Sequence, residues 1–135
     1  MKAFLDTNIL IDVLSRRIPF YEAASNVINL GITGQIELCA TSMSFGTTAF
    51  ITKSVLGYDN AIAALQMLDP YIGIVTMDAG QCHNALFAKM PDFEDMLQFN
   101  AAVAAKADVI ITRNKKHFPK HQMPILTPNE FLLQL

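Results

Sequence analysis

This sequence is short of charge, of cysteine and of long apolar runs, and each shortage excludes something. Only 16% of its residues are charged and the formal net charge is −2, so no global positive field announces a polyanionic partner. The two cysteines, Cys39 and Cys82, sit in apolar surroundings without metal-ligand spacing. They read as reduced core thiols in a reducing compartment, which argues against a disulfide framework. No stretch approaches membrane-spanning length, and Met1-Lys2 leads straight into a strand pattern rather than a signal-peptide core. The expectation is a cytoplasmic protein with no membrane association. The most telling shortage is local. No Asp or Glu occurs between Glu37 and Asp59, and none between Asp108 and Glu130.

What is present is apolar and patterned. Just over half of the 135 residues are hydrophobic, enough to bury one sizeable core, and a single domain spanning 1–135 is expected. Apolar periodicity predicts a strand at Ala3–Leu5, a first helix carrying Ile9, Leu10, Val13 and Leu14, and a second helix from about Phe20 to Ile32. A strand at Ile36–Ala40 follows, then helices over Met43–Val55 and Asn60–Leu68, a strand at Tyr71–Val75 and a helix at Ala79–Ala88. Phe93, Met96, Leu97, Ala101 and Ala104 repeat at helical spacing ahead of the strand Val109–Ile111. Pro124–Leu126 suits an edge strand, and Asn129–Leu133 a last helical turn. Alternation of this kind implies an α/β fold with a mostly parallel sheet and helices on both faces.

In such a sheet, Asp6 ends the first strand at the same edge as Thr112-Arg113-Asn114, and Asp95 opens the helix that feeds the strand before that tripeptide. Carboxylates gathered at one edge are what hard cations such as Mg²⁺ or Mn²⁺ require. Helix capping accounts for Asp6, Thr7, Asn8 and Asp92 just as economically, with Glu94 and Asp95 favoured by the helix dipole, so residue chemistry alone leaves both readings open. His83, His117 and His121 show no metal-ligand arrangement in the sequence.

Four ordered segments tip this balance: Phe4-Leu5-Asp6-Thr7-Asn8, Asp92-Phe93-Glu94-Asp95-Met96-Leu97-Gln98, Ile110-Ile111-Thr112-Arg113-Asn114-Lys115-Lys116-His117-Phe118, and Leu126-Thr127-Pro128-Asn129-Glu130-Phe131-Leu132. Together they resemble the PIN domain family, closest to the ribonuclease toxins of VapBC-type toxin–antitoxin modules. The resemblance implies a three-layer α/β/α sandwich around a parallel sheet. It also implies a quartet of acidic residues holding Mg²⁺ or Mn²⁺ for RNA cleavage, a protein antitoxin as partner, and a homodimer.

Carried over by position, the first acid falls on Asp6 and the acid of the later helix on Asp95, while the other two positions fall near Thr47 and on Asn114. Neither of these is a carboxylate. Glu37 and Asp108 stand at the amino ends of their strands, and at a strand's rise Asp108 lies on the order of 15 to 20 Å from the Asn114 edge. Asp92, one helical turn before Asp95, is the best remaining candidate ligand, ahead of Asp12 and Asp78. The expected site is therefore Asp6, Asp95 and Asn114 for catalysis and Asp6, Asp95 and Asp92 for metal, with Asn8, Thr47 and Thr112 in support. Arg113, Lys115 and Lys116 beside it are expected to hold RNA phosphates. Phe93, Phe99 and Phe118 are candidate base-stacking groups, with Phe93 the more natural core residue. The competing expectation is a PIN-fold module that is catalytically weak or inactive and binds RNA or protein.

Overall fold

The computed structural model describes residues 1–135. Five parallel strands, β1 (Lys2–Leu5), β2 (Glu37–Thr41), β3 (Ile72–Val75), β4 (Val109–Ile111) and β5 (Ile125–Leu126), form one sheet in the order β3-β2-β1-β4-β5. Parallel pairing requires a crossover after each strand, and the helices supply it. They are α1 (Thr7–Ser15), α2 (Tyr21–Ile32), α3 (Ser42–Leu56), α4 (Tyr58–Leu68), α5 (Ala79–Phe87), α6 (Phe93–Ala104) and α7 (Pro128–Leu133).

The two-residue period of the strands sends alternate side chains into two separate cores. Ala3, Leu5, Leu38, Ala40, Val109 and Ile111 pack with Ile9 and Leu10 of α1, Ala24, Val27 and Ile28 of α2 and Phe131 of α7. Phe4, Cys39 and Ile110, from the opposite face, pack with Ala85 of α5, Met96 and Phe99 of α6, and Phe118. The result is the expected α/β/α sandwich, with the short β5 at one edge of the sheet. Gly31 lets α2 lie directly against β2, because a Cβ there would overlap the Leu38 side chain.

Helix α6 differs from the sequence reading in which face it buries. Asp95, Met96, Gln98, Phe99, Ala101 and Ala102 face inward, whereas Phe93 is 41% exposed and Ala104 is exposed. The inward stripe thus includes two polar residues, and Phe93 is not a core residue. Phe99 and Phe118 are both buried and packed in the core, which removes them as stacking groups. Of the two thiols, Cys39 is buried, its pKa pushed up to about 11 by burial, while Cys82 is only half-buried; neither forms a disulfide. No helix is long and apolar enough to cross a membrane.

A buried carboxylate pair at the carboxyl edge of the sheet

Register builds the site. Leu5 pairs with Ile111, so the next residues, Asp6 and Thr112, emerge side by side where β1 and β4 end. The Thr112 hydroxyl donates to Asp6 Oδ2 at 2.6 Å. Asp6 occupies the N-cap position of α1, yet its side chain makes no capping bond. Both carboxylate oxygens point instead into the edge of the sheet. Asp92 does cap α6, accepting from Asp95 N–H at 2.9 Å.

Gln98 joins the two acids. It lies one turn after Asp95 and is almost fully buried. Its Nε2 donates to Asp6 Oδ1 at 2.8 Å and to Asp95 Oδ1 at 3.3 Å. Its Oε1 accepts from the Thr7 backbone N–H at 3.2 Å, and the Thr7 and Ser44 hydroxyls each lie 3.3 Å from it. Donors on one side and carboxylates on the other fix which way the amide points. Ser44 also bonds Thr7 at 2.7 Å and Thr41 at 3.1 Å, so β2 and α3 reach the site through hydroxyls.

Two carboxylates held this way are costly without a cation. Burial raises the pKa of Asp6, and the bonds from Thr112 and Gln98, the Thr7 amide and the charge of Arg113 only partly offset it. Asp95 is pushed up to about 6, first by burial and then by the charges of Asp6 and Asp92, with His117 acting against them. A divalent ion reverses the sign of that cost. The donors present fit such an ion: Asp92, Asp95 and His117 each offer a ligand atom, all within 4.8 Å of one another. Asp6 stands beside this group, joined to Asp95 through the Gln98 amide.

Thr47 is half-buried and makes no side-chain hydrogen bond; the inward polar stripe of α3 is Ser44, Thr48 and Thr52. Asn114 reaches the site through its backbone, its N–H donating to Thr112 Oγ1 at 2.9 Å. Asn8 has a buried side-chain oxygen with no hydrogen-bond partner, as does Thr48.

The basic residues divide. Arg113 is turned away from the acids to grip buried Asp12 with two bonds of 2.7 and 3.2 Å, its guanidinium lying 4.1 Å from the Phe20 ring centroid. Lys115 pairs with Glu130 at 2.9 Å. Lys116 and Lys120 are exposed and form no ion pair.

Two participants escape the sequence reading. Gln98 is detectable in principle, because it lies three residues after Asp95 and so shares its helical face. His117 contradicts the reading that no histidine joins a ligand arrangement. It closes the short 3-10 turn Lys115–His117 after β4, and its Nδ1 sits 3.0 Å from Asp95 Oδ2. Nothing periodic in the sequence forecasts that turn.

The sequence model of the PIN domain matches residues 2–116. The chain belongs to the PIN domain family. No curated protein matches it in sequence. Among solved structures it is similar to VapBC-1 from nontypeable Haemophilus influenzae, at 17% identity over 96% of this chain and 99% of that one, with a TM-score of 0.68. It is also similar to a toxin–antitoxin complex from Klebsiella pneumoniae, at 21% identity over 93% and 97% of the two chains, TM-score 0.67. A third likeness is to Mycobacterium tuberculosis VapC20, a toxin that cleaves the sarcin-ricin loop, at 14% identity over 80% and 86%, TM-score 0.63. At these identities the likeness is one of fold.

Proposed function

We propose that this PIN domain is a divalent-metal-dependent endoribonuclease and the toxin of a toxin–antitoxin pair, acting in the cytoplasm. The observation that carries the reading is the buried Asp6–Gln98–Asp95 bridge, in which two carboxylates share one amide at the edge where the strands end. Such an arrangement is costly for a purely structural element, and a bound cation would offset that cost.

Asp6, Asp95 and Asp92 would hold Mg²⁺ or Mn²⁺. The ion supplies a Lewis acid and an activated water for attack on a phosphodiester. The chain's own groups do the positioning. Thr112 and Gln98 fix the two oxygens of Asp6, with Asn114 orienting Thr112 through its backbone, and Asn8 and Thr47 would act as supporting residues. His117 Nδ1, 3.0 Å from Asp95 Oδ2, holds the second oxygen of that carboxylate in place. Lys116 meets RNA phosphates directly, while Arg113 and Lys115, tied to Asp12 and Glu130, add positive potential beside the acids.

Toxin–antitoxin assemblies among the structural neighbours support a protein antitoxin as partner. Phe50, Val55, Tyr58 and Met67, all exposed on α3 and α4, offer apolar surface for that partner or for a second copy in a homodimer.

The test is RNA cleavage by the purified chain with Mn²⁺ or Mg²⁺ and with chelator. Cleavage should need the metal and be lost in Asp6→Asn and Asp95→Asn. Cleavage untouched by either change would remove the catalytic assignment, and RNA binding without any cleavage would point to the inactive binding module instead.

A further inference from the structure

The edge is poor in carboxylates, with Thr47 and Asn114 standing where the family resemblance places acids, and one nitrogen donor has moved in. His117 does not reach the acids by a flexible arm. Its backbone N–H donates to Asn114 O at 3.0 Å, and the next residue, Phe118, is buried in the core, so the turn that carries the imidazole is held at both ends. The ring is 30% exposed. One side of it therefore faces solvent while Nδ1 faces Asp95, leaving an ion a way in.

We infer that His117 is a ligand of the divalent cation at this edge, replacing a missing carboxylate and tilting the site toward Mn²⁺ over Mg²⁺. The inference rests on the metal-dependent reading above. Its geometric basis is the set of three donor atoms, from Asp92, Asp95 and His117, that lie within 4.8 Å of one another on two elements. Ligands bound to one ion at about 2.0–2.2 Å stand up to about 4.4 Å apart, so small side-chain rotations close the set. Its chemical basis is donor type. Mg²⁺ takes oxygen in a strict octahedron and keeps its waters, whereas imidazole suits the transition ions, and Mn²⁺ accepts both.

A purely structural role, in which His117 only donates a hydrogen bond to Asp95, is separable from ligation. Glutamine keeps a donor at that place and removes the imidazole. Pulsed electron paramagnetic resonance on the Mn²⁺-loaded 135-residue chain should show nitrogen modulation from imidazole, and His117→Gln should abolish it. Calorimetry should show Mn²⁺ binding weakened at least about 10-fold in His117→Gln, with Mg²⁺ binding changed by less than about 3-fold, and thermal melts should show the variant folded. Absence of the nitrogen signal in the wild type, or equal Mn²⁺ affinity in the variant, overturns the inference. If Mn²⁺ still binds in an Asp95-dependent way, the nuclease reading survives that failure. If the wild type binds no divalent ion, both fall together.

Discussion

The two edges of the sheet use the same residue types to opposite ends. At the amino edge, Lys2 meets the exposed Glu37 at 3.9 Å, donates from Nζ to Ala105 O, and donates from its backbone N–H to the exposed Asp108 Oδ2 at 2.7 Å. Opposite charges there are paired, hydrated and cheap. At the carboxyl edge, Asp6 and Asp95 are buried within one network, like charges facing each other across a glutamine amide. The amino edge closes the fold. The carboxyl edge gives up stability to hold two acids together, the pattern expected of a site rather than a scaffold.

The sharpest way to break this contrast is Asp6→Asn, expected to lower RNA cleavage by about 10²–10³-fold, the scale for removing one group that stabilises developing charge. Single-turnover assays at saturating Mn²⁺ would measure it. Next in size is Asp12→Ala, which leaves the Arg113 guanidinium without its buried partner; a loss of about 3 kcal/mol in urea unfolding is expected.

A third effect is in pH. The Asp95 carboxyl titrates near 6 in the folded chain against 3.8 for its ordinary value, and Asp6 is raised as well. The folded state therefore binds protons more tightly than the unfolded one, so this contribution to stability is present at low pH and is lost as pH rises through about 6. In chelator, thermal melts should show Asp95 costing the fold on the order of 2 kcal/mol at pH 7 relative to pH 4. Asp95→Asn should flatten that dependence, and Mn²⁺ should oppose it. The smallest effect belongs to the other edge: Glu37→Ala should change stability by less than about 0.5 kcal/mol and leave cleavage intact. A large loss of cleavage from that change would erase the distinction between the edges.

Much of the scaffold was readable because it is periodic. The strand Val109–Ile111 and the helices fall within a residue or two of their expected bounds, and parallel register then places Asp6 beside Thr112. Side-chain direction was less readable. Asp6 sits at a cap position and does not cap, because the Thr112 hydroxyl and Gln98 amide outcompete the helix for its oxygens. Arg113 lies in the basic run but answers to Asp12, a hundred residues away in sequence, so charge clustering alone overstates the free positive surface. His117 depends on a non-periodic turn that folds back over α6, and no sequence spacing encodes that return.

The most direct test of the central claim is a crystal structure soaked in Mn²⁺, with the ion located by anomalous scattering. An ion is expected at the carboxyl edge in contact with Asp95 and within coordinating reach of Asp6 or Asp92. Well-diffracting crystals at neutral pH and millimolar Mn²⁺ that show Asp6, Gln98 and Asp95 still bridged, with no ion among them, would contradict it.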